Sequence, residues 1–313
     1  MADISFYSKE KHSNRVLQQL RQKLYQHSVH DWLSDQPDPA TIDYAVCWHP
    51  PAEFFDGATN LQAIFSLAAG VDHLLKHPRL PASVPIVRLT DAGMADKIAE
   101  YVHYGVLRTH RGFHRYHDLQ QQQLWQPQPD RHAADYRVGI LGYGVIGQAV
   151  GLHLHRAGYQ VSAFKRSHAD NQGPVKIMTG DHSGFLKQLD VLVCILPLTS
   201  CTQNLIDADF LADLPEGSHF INVGRGDQVV ENDLLSALDS GRLASALLDV
   251  CSVEPLPAEH DLWRHPRVVI TPHVAGPTQV TQSVDQVAES IIKLSRGGSI
   301  GALPGVVDML RGY

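Results

Sequence analysis

Residues 137–167 read RVGILGYGVIGQAVGLHLHRAGYQVSAFKRS. An apolar run, VGIL, meets a turn holding Gly142, Gly144 and Gly147. A stretch of helical character, VIGQAVGLHLHRAG, follows, and then a second apolar run, QVSAF. Strand, glycine turn, helix and strand in this order form the unit in which GxGxxG holds a dinucleotide pyrophosphate. Gly142 permits the tight turn, Gly144 lets the backbone approach the phosphates, and Gly147 lets the helix pack close to the strand. Val145 and Ile146 open the helix, where unsatisfied N–H groups and the macrodipole favour an anion.

The end of the second strand discriminates between cofactors. An acid there bonds a ribose 2′-hydroxyl and repels a 2′-phosphate, but this chain places Lys165, Arg166 and Ser167 at that point. A guanidinium offers phosphate a two-pronged fork and a hydroxyl adds a donor. The site is therefore expected to prefer NADP(H), with NAD(H) the weaker alternative. The competing reading is that Lys165 and Arg166 are solvated loop charges.

The whole chain is consistent with such a site. Its 313 residues exceed one ordinary domain, so two are expected. Apolar residues at 43% and charged ones at 19% suit a globular protein with real cores. A net charge of −7 argues against nucleic-acid binding, and no apolar run is long enough to span a bilayer. MADISFYSKE does not read as a secretory leader, and four scattered cysteines without CxxC fit reduced thiols. A cytoplasmic location is the expectation.

Before the glycine motif, DISFYS, DYAVCW, AIFSLA and PIVRL are short apolar runs, with helical spacing in NRVLQQLRQKLY between the first two. A single long helix is expected from about residue 95 to 121, bridging the domains, and the Gln/Pro-rich QQLWQPQPDRHAAD should end it as an exposed loop or subunit contact. From residue 136, six strand candidates alternate with helices: YRVGILG, QVSAFKR, DVLVCILP, SHFINVG, ASALLDV and RVVITPH. The fold class is α/β with two Rossmann-like domains. A doubly wound parallel-sheet cofactor domain, 96–284, is inserted into a smaller flavodoxin-like substrate domain, 1–95 plus 285–313, with the chemistry in the cleft between them. The tail LPGVVDMLRGY is expected to fold back on the first domain.

Three residues stand at or just beyond the ends of late strands: Arg225 in FINVGRGD, Glu254 in LLDVCSVEP and His273 in VITPHVAG. Open α/β sheets bind ligands at those ends. Hydride transfer to a ketone needs a proton donor, and histidine suits that role near neutral pH. A carboxylate bonded to the imidazole would orient it and favour its charged form. An arginine facing the substrate can clamp a carboxylate. Any one of these residues alone would more often be structural; their joint placement carries the reading.

The glycine loop, INVGRGD, LLDVCSVEP and ITPHVAG, in this order, resemble the D-isomer-specific 2-hydroxyacid dehydrogenases along nearly the whole chain. YAVCWHPP, SLAAGVDHL, DAGMADKIAEY, FKRS, LWRHPRV and the final RGY resemble the glyoxylate/hydroxypyruvate reductase A branch, which prefers NADPH. The resemblance implies that Arg225, Glu254 and His273 are the catalytic set. It implies that the amides of Ala69, Gly70 and Val71 hold the substrate carboxylate together with Arg225, and that Trp48 walls the pocket. Asp249 would contact the nicotinamide carboxamide, and Met94, Pro197 and Thr202 would line the cofactor. Leu196, Val223, Gly224, Arg225, His273, Ala275 and Gly276 join the cofactor contacts by the same likeness. Lys165 departs from the Ser usual in that branch and Gly276 from a frequent Ala. Glu254 separates the chain from the related formate dehydrogenases, which carry Gln there.

The implied reaction is NADPH-dependent reduction of glyoxylate to glycolate or hydroxypyruvate to D-glycerate, by a homodimer needing no metal. The alternatives are a bulkier 2-keto acid such as phenylpyruvate, or a catalytically idle dinucleotide sensor. His110, His114 and His117 share the spacing of one helical face, but no further ligand accompanies them.

Overall fold

The computed structural model describes residues 1–166 and 173–313. Two parallel sheets organise it, each in its own compact unit: residues 1–93 with 278–313, and residues 94–277. The final helix lies in the first unit from its first residue, so the division falls at 277/278, seven residues before the boundary expected from sequence.

In the first unit the strands are β1 (Asp3–Tyr7), β2 (Ser28–Asp31), β3 (Tyr44–Cys47), β4 (Ala63–Ser66) and β5 (Ile86–Val87). Their order is β2-β1-β3-β4-β5, all parallel, which is the flavodoxin-like winding. β3 and β4 are buried at every position, as strands covered on both faces must be. Helix α1 (Ser13–Lys23) buries Val16, Leu17 and Leu20 and carries a basic last turn. A one-turn helix, α2 (Asp72–Leu75), follows β4. The C-terminal tail returns to β5: Val306 bridges Val87 antiparallel, and the Val307 N–H donates to Ile86 O at 2.9 Å.

The second unit begins with α3 (Met94–His110) and α4 (Phe113–Gln121). The single long helix expected here is broken, because Gly112 adopts φ 64°, a left-handed conformation no helix continues through. The break takes His110 off the face of His114 and His117. His110 Nε2 lies 2.6 Å from Arg131 O, while His114 faces Arg108 O and the ring of His219. Among the described residues no group of three or more His, Cys, Asp or Glu is placed to hold a metal.

The second sheet comprises β6 (Arg137–Leu141), β7 (Gln160–Phe164), β8 (Lys176–Met178), β9 (Val191–Cys194), β10 (Ser218–Asn222), β11 (Leu243–Leu248) and β12 (Val268–Ile270). The order is β12-β11-β10-β9-β6-β7-β8, with every pair parallel. This is the doubly wound dinucleotide order, with one strand more than the six read from sequence. Helices α5 (Val145–Arg156), α6 (Ser183–Leu186), α7 (Ala208–Ala212) and α8 (Glu231–Asp239) connect the strands. Phe185, Leu192, Phe210, Phe220, Leu238 and Leu248 sit in the main core of this unit.

The last helix, α9 (Val280–Ser295), packs on α1 in the first unit, where Asp285 pairs with Lys23. It ends in a Schellman motif: Gly297 N–H donates to Leu294 O at 2.8 Å and Gly298 N–H to Lys293 O at 3.0 Å, with Gly297 at φ 88°.

Candidate active site

In the second unit the sequence-predicted residues lie along one edge of the sheet, each just beyond the C-terminal end of a strand. The glycine turn follows β6, Lys165 and Arg166 follow β7, and Leu196, Pro197 and Thr202 follow β9. Val223, Gly224 and Arg225 follow β10, Asp249 and Glu254 follow β11, and His273, Ala275 and Gly276 follow β12. Met94 is buried at the start of α3. Ser167 lies outside the described residues.

Each glycine of the turn has a distinct constraint. Gly142 takes φ 102°, and a Cβ there would stand 2.8 Å from Ile195 O. A Cβ on Gly147 would stand 2.1 Å from Gly142 O, so only glycine lets α5 start this close to the turn. Gly144 is different: its φ of −84° suits any residue, and a Cβ would meet nothing within 4 Å. Nothing in the described chain requires glycine there, whereas a phosphate approaching the backbone would. No side chain caps α5 and no acid stands in its first turn, so the Val145 and Ile146 N–H groups face this opening unscreened. The residues present fit a dinucleotide.

At the end of β7, the Lys165 N–H donates to Met178 O at 2.9 Å, and β8 thereby extends the edge. Arg166 is exposed, and among the described residues neither Lys165 nor Arg166 takes an ion pair.

The catalytic candidates converge. His273 Nδ1 lies 2.8 Å from Glu254 Oε2, and the Cys251 N–H donates to Glu254 Oε1 at 3.1 Å. Burial opposes ionisation of Glu254. The hydrogen bond and charge of His273, the Cys251 N–H and the charge of Arg225 outweigh it and hold the carboxyl below its ordinary value. Arg225 comes near because Gly226 packs directly on the Cys251 backbone, where a Cβ would fall 1.8 Å from Cys251 C.

Two buried residues with no part in the sequence reading build this arrangement. Gln228, fully buried, accepts the Arg225 N–H at 3.0 Å and donates to Leu196 O and Pro197 O at 2.9 and 3.0 Å. Asn222 accepts from the Gly224 N–H and donates to Arg225 O, both at 3.0 Å. Gln228 stands three residues after Arg225 in a run with no helical or strand period, so only its burial reveals it. Thr202 donates to Pro197 O at 2.7 Å and closes the loop after β9.

Asp249 is almost fully buried, and its carboxylate accepts from Thr271 Oγ1 at 2.6 Å and from the Val274 and Ala275 N–H groups at 2.8 Å each. It thus holds the turn around His273, whose own φ of 55° is left-handed. The resemblance gave Asp249 a cofactor contact; the structure gives it these protein contacts.

In the first unit, Trp48 follows β3 and its Nε1–H donates to Glu10 Oε1 at 3.1 Å. The rings of His49 and His73 stand 4.5 and 4.4 Å from the Trp48 ring. Ala69, Gly70 and Val71 form the turn between β4 and α2, with Val71 buried and the other two partly exposed.

A doubly wound unit with an open glycine cradle, an imidazole–carboxylate pair and a neighbouring arginine defines a dinucleotide-dependent oxidoreductase. Comparison with known proteins narrows the class. A family model for the D-isomer specific 2-hydroxyacid dehydrogenase NAD binding domain matches residues 104–275. A D-isomer specific 2-hydroxyacid dehydrogenase from Xanthobacter autotrophicus Py2, solved with NADPH and MES, is 35% identical (TM-score 0.93), covering 100% of this chain and 99% of its own. An NADPH-dependent glyoxylate/hydroxypyruvate reductase from Sinorhizobium meliloti, solved with NADP and sulfate, is 33% identical (TM-score 0.90), covering 100% of both chains. A probable 2-hydroxyacid dehydrogenase from Rhizobium etli CFN 42, solved with NADP, HEPES and L(+)-tartaric acid, is 30% identical (TM-score 0.89), covering 100% and 99%. The chain belongs to the D-isomer-specific 2-hydroxyacid dehydrogenase family.

Proposed function

We propose that this enzyme reduces small 2-keto acids, glyoxylate and hydroxypyruvate first among them, with NADPH. The observation that carries the reaction is the 2.8 Å bond between His273 Nδ1 and Glu254 Oε2. With Nδ1 turned to the carboxylate, Nε2 is the nitrogen that hands a proton to the nascent alkoxide. Glu254, kept ionised by its surroundings, accepts from Nδ1 and fixes the plane of the imidazole. Arg225, with its backbone set by Gln228 and Asn222, clamps the substrate carboxylate. NADPH, when bound, supplies the hydride. The turn at Gly142–Gly147 would hold its pyrophosphate and Arg166 its 2′-phosphate. Trp48 and the amides of Ala69, Gly70 and Val71 are proposed substrate contacts.

The S. meliloti reductase, at 33% identity over the full length, supports the substrate class. A bulkier 2-keto acid is the remaining enzyme reading. The complete Arg–Glu–His set weighs against an idle sensor. We further propose a cytoplasmic homodimer. The location rests on four cysteines outside any disulfide. The dimer rests on the apolar surface of α3, α4 and the loop after them, where Tyr104 and Phe113 are about half exposed and Trp125 wholly so.

Absorbance at 340 nm with glyoxylate and hydroxypyruvate, NADPH against NADH, tests the cofactor reading. Wild type should favour NADPH. Arg166→Ala should cost about ten-fold or more in kcat/KM with NADPH, since a charge-assisted bond is worth about 1.5–3 kcal/mol, and little with NADH. Equal use of both cofactors by wild type would remove the 2′-phosphate assignment.

A further inference from the structure

The turn carrying His273 is unusually constrained. Its φ of 55° is a conformation that a side chain bearing a Cβ adopts at a cost. The His273 N–H is shared between Asp249 O at 2.8 Å and Thr271 O at 3.0 Å. Residues on both sides of the histidine hang from the single buried carboxylate of Asp249: Thr271 through its hydroxyl, Val274 and Ala275 through their N–H groups. The hydroxyl of Thr271 has one proton. An ionised carboxylate only accepts, so that proton goes to Asp249 Oδ1. Thr271 Oγ1 must then be the acceptor in its second contact, 2.6 Å from the Tyr101 hydroxyl.

The bonds therefore run one way, from the Tyr101 phenol to Thr271 to Asp249, and from Asp249 back to the backbone around His273. Tyr101 lies in α3, two turns after Met94, so a helix distant in sequence supplies the last donor. Burial, followed by the charge of Asp249 and against the bond to Thr271, raises the Tyr101 phenol above its usual range and keeps it a donor. Packing reinforces the join. Gly276 lies so close to α3 that a Cβ there would stand 2.8 Å from Ile98 Cδ1. All the groups named belong to one compact unit.

We propose that Tyr101 is a positioning residue for His273, acting through Thr271 and Asp249 to hold the imidazole in line with Glu254. The inference rests on the reading of His273 as the proton donor. A phenol fixed in the first turns of α3 sets the backbone turn, and the turn sets the ring. Tyr101 itself touches neither ring nor substrate in this scheme.

The test uses the full chain with Tyr101→Phe, Thr271→Val, Thr271→Ser and the Tyr101→Phe/Thr271→Val double variant. Tyr101→Phe should lower kcat by about five-fold, the loss of one hydrogen bond, with NADPH affinity within about two-fold of wild type. Thr271→Ser, which keeps the hydroxyl, should stay near wild type. The double variant should be no slower than Thr271→Val alone, because both remove the same relay. Unchanged turnover in Tyr101→Phe, or effects of the two substitutions that multiply, would overturn the proposal.

If wild type reduces no 2-keto acid, the function reading fails, and NMR decides the positioning claim independently. With labelled histidine and His273→Ala to assign the signal, the His273 Nδ1 proton bonded to Glu254 should broaden or shift in Tyr101→Phe. An identical signal in both proteins would overturn the positioning role.

Discussion

At the scale of the residue, the proposed chemistry rests on one contact, His273 with Glu254. Glu254 is ionised because His273, the Cys251 N–H and Arg225 together outweigh its burial. Ionised, it accepts from His273 Nδ1 and leaves Nε2 as the proposed donor. Its depressed pKa means the carboxylate persists into mildly acid solution and is lost only as pH falls through that lowered value. Glu254→Gln keeps the shape and removes the charge. The reduction rate should then fall by about five- to ten-fold, the worth of one charge-assisted bond in a partly exposed pair. NADPH affinity, measured by fluorescence titration, should not change. Unchanged turnover would remove Glu254 from the proton donor's environment. Arg225, Glu254 and His273 were legible in sequence because each stands in a short motif at a strand end. Gln228, Asn222 and Tyr101 were not. Gln228 and Tyr101 serve partners far away in sequence, Leu196 and Thr271, and no local pattern encodes such partners; Asn222 bonds its own loop at Gly224 and Arg225, and only its burial at the end of an apolar strand reveals it.

At the scale of the element, the buried strands were readable, as were the edge strands β5 and β12, while the edge strands β2 and β8 were not. β9 and β10 are buried at every position and appear as continuous apolar runs. β2, SVHD, buries only Val29, and β8, KIM, buries none of its residues fully, so neither has an apolar run or a clean alternation. Both lie at sheet edges, where one row of backbone groups meets no further strand. Gly112 likewise gave no warning, since helices tolerate single glycines until one turns left-handed. The opposite end of the second sheet from the site is held by charge. Asp190 accepts from Arg131 at 2.8 and 3.0 Å and from the Arg137 N–H at 2.8 Å. Burial raises its pKa, but these bonds and the guanidinium charges outweigh it, and the folded value is depressed. The stabilisation is therefore present above the unfolded carboxylate value of about 4 and fades as pH falls through the folded one. Asp190→Asn should lower stability by about 1–2 kcal/mol at neutral pH, with the gap to wild type closing in denaturant melts as pH falls through the depressed folded value. A gap unchanged between neutral and strongly acid solution would mean that packing, not charge, was lost.

At the scale of the whole molecule, the chain crosses between its two units at 93/94 and 277/278. The second crossing comes four residues after His273, and α3 begins at the first. Tyr101 and Thr271, proposed to position His273, thus each lie within eight residues of a crossing along the chain. The apolar surface of α3, α4 and the following loop is proposed to be covered by a second copy, so light scattering should give twice the chain mass of 34.6 kDa. Replacing the fully exposed Trp125 with Ala should shift that equilibrium toward monomer at micromolar concentration. A wild-type monomer under the same conditions would remove the dimer.

His273 is proposed to give the proton, while the glycine turn after β6 is proposed to supply most of the grip on NADPH. The measurement that tests it most directly is NADPH oxidation at 340 nm by His273→Ala, alongside NADPH binding by the same protein. We predict kcat reduced by about 10²-fold or more, the usual worth of a general acid, with binding within about two-fold of wild type. Normal turnover by His273→Ala would contradict the account.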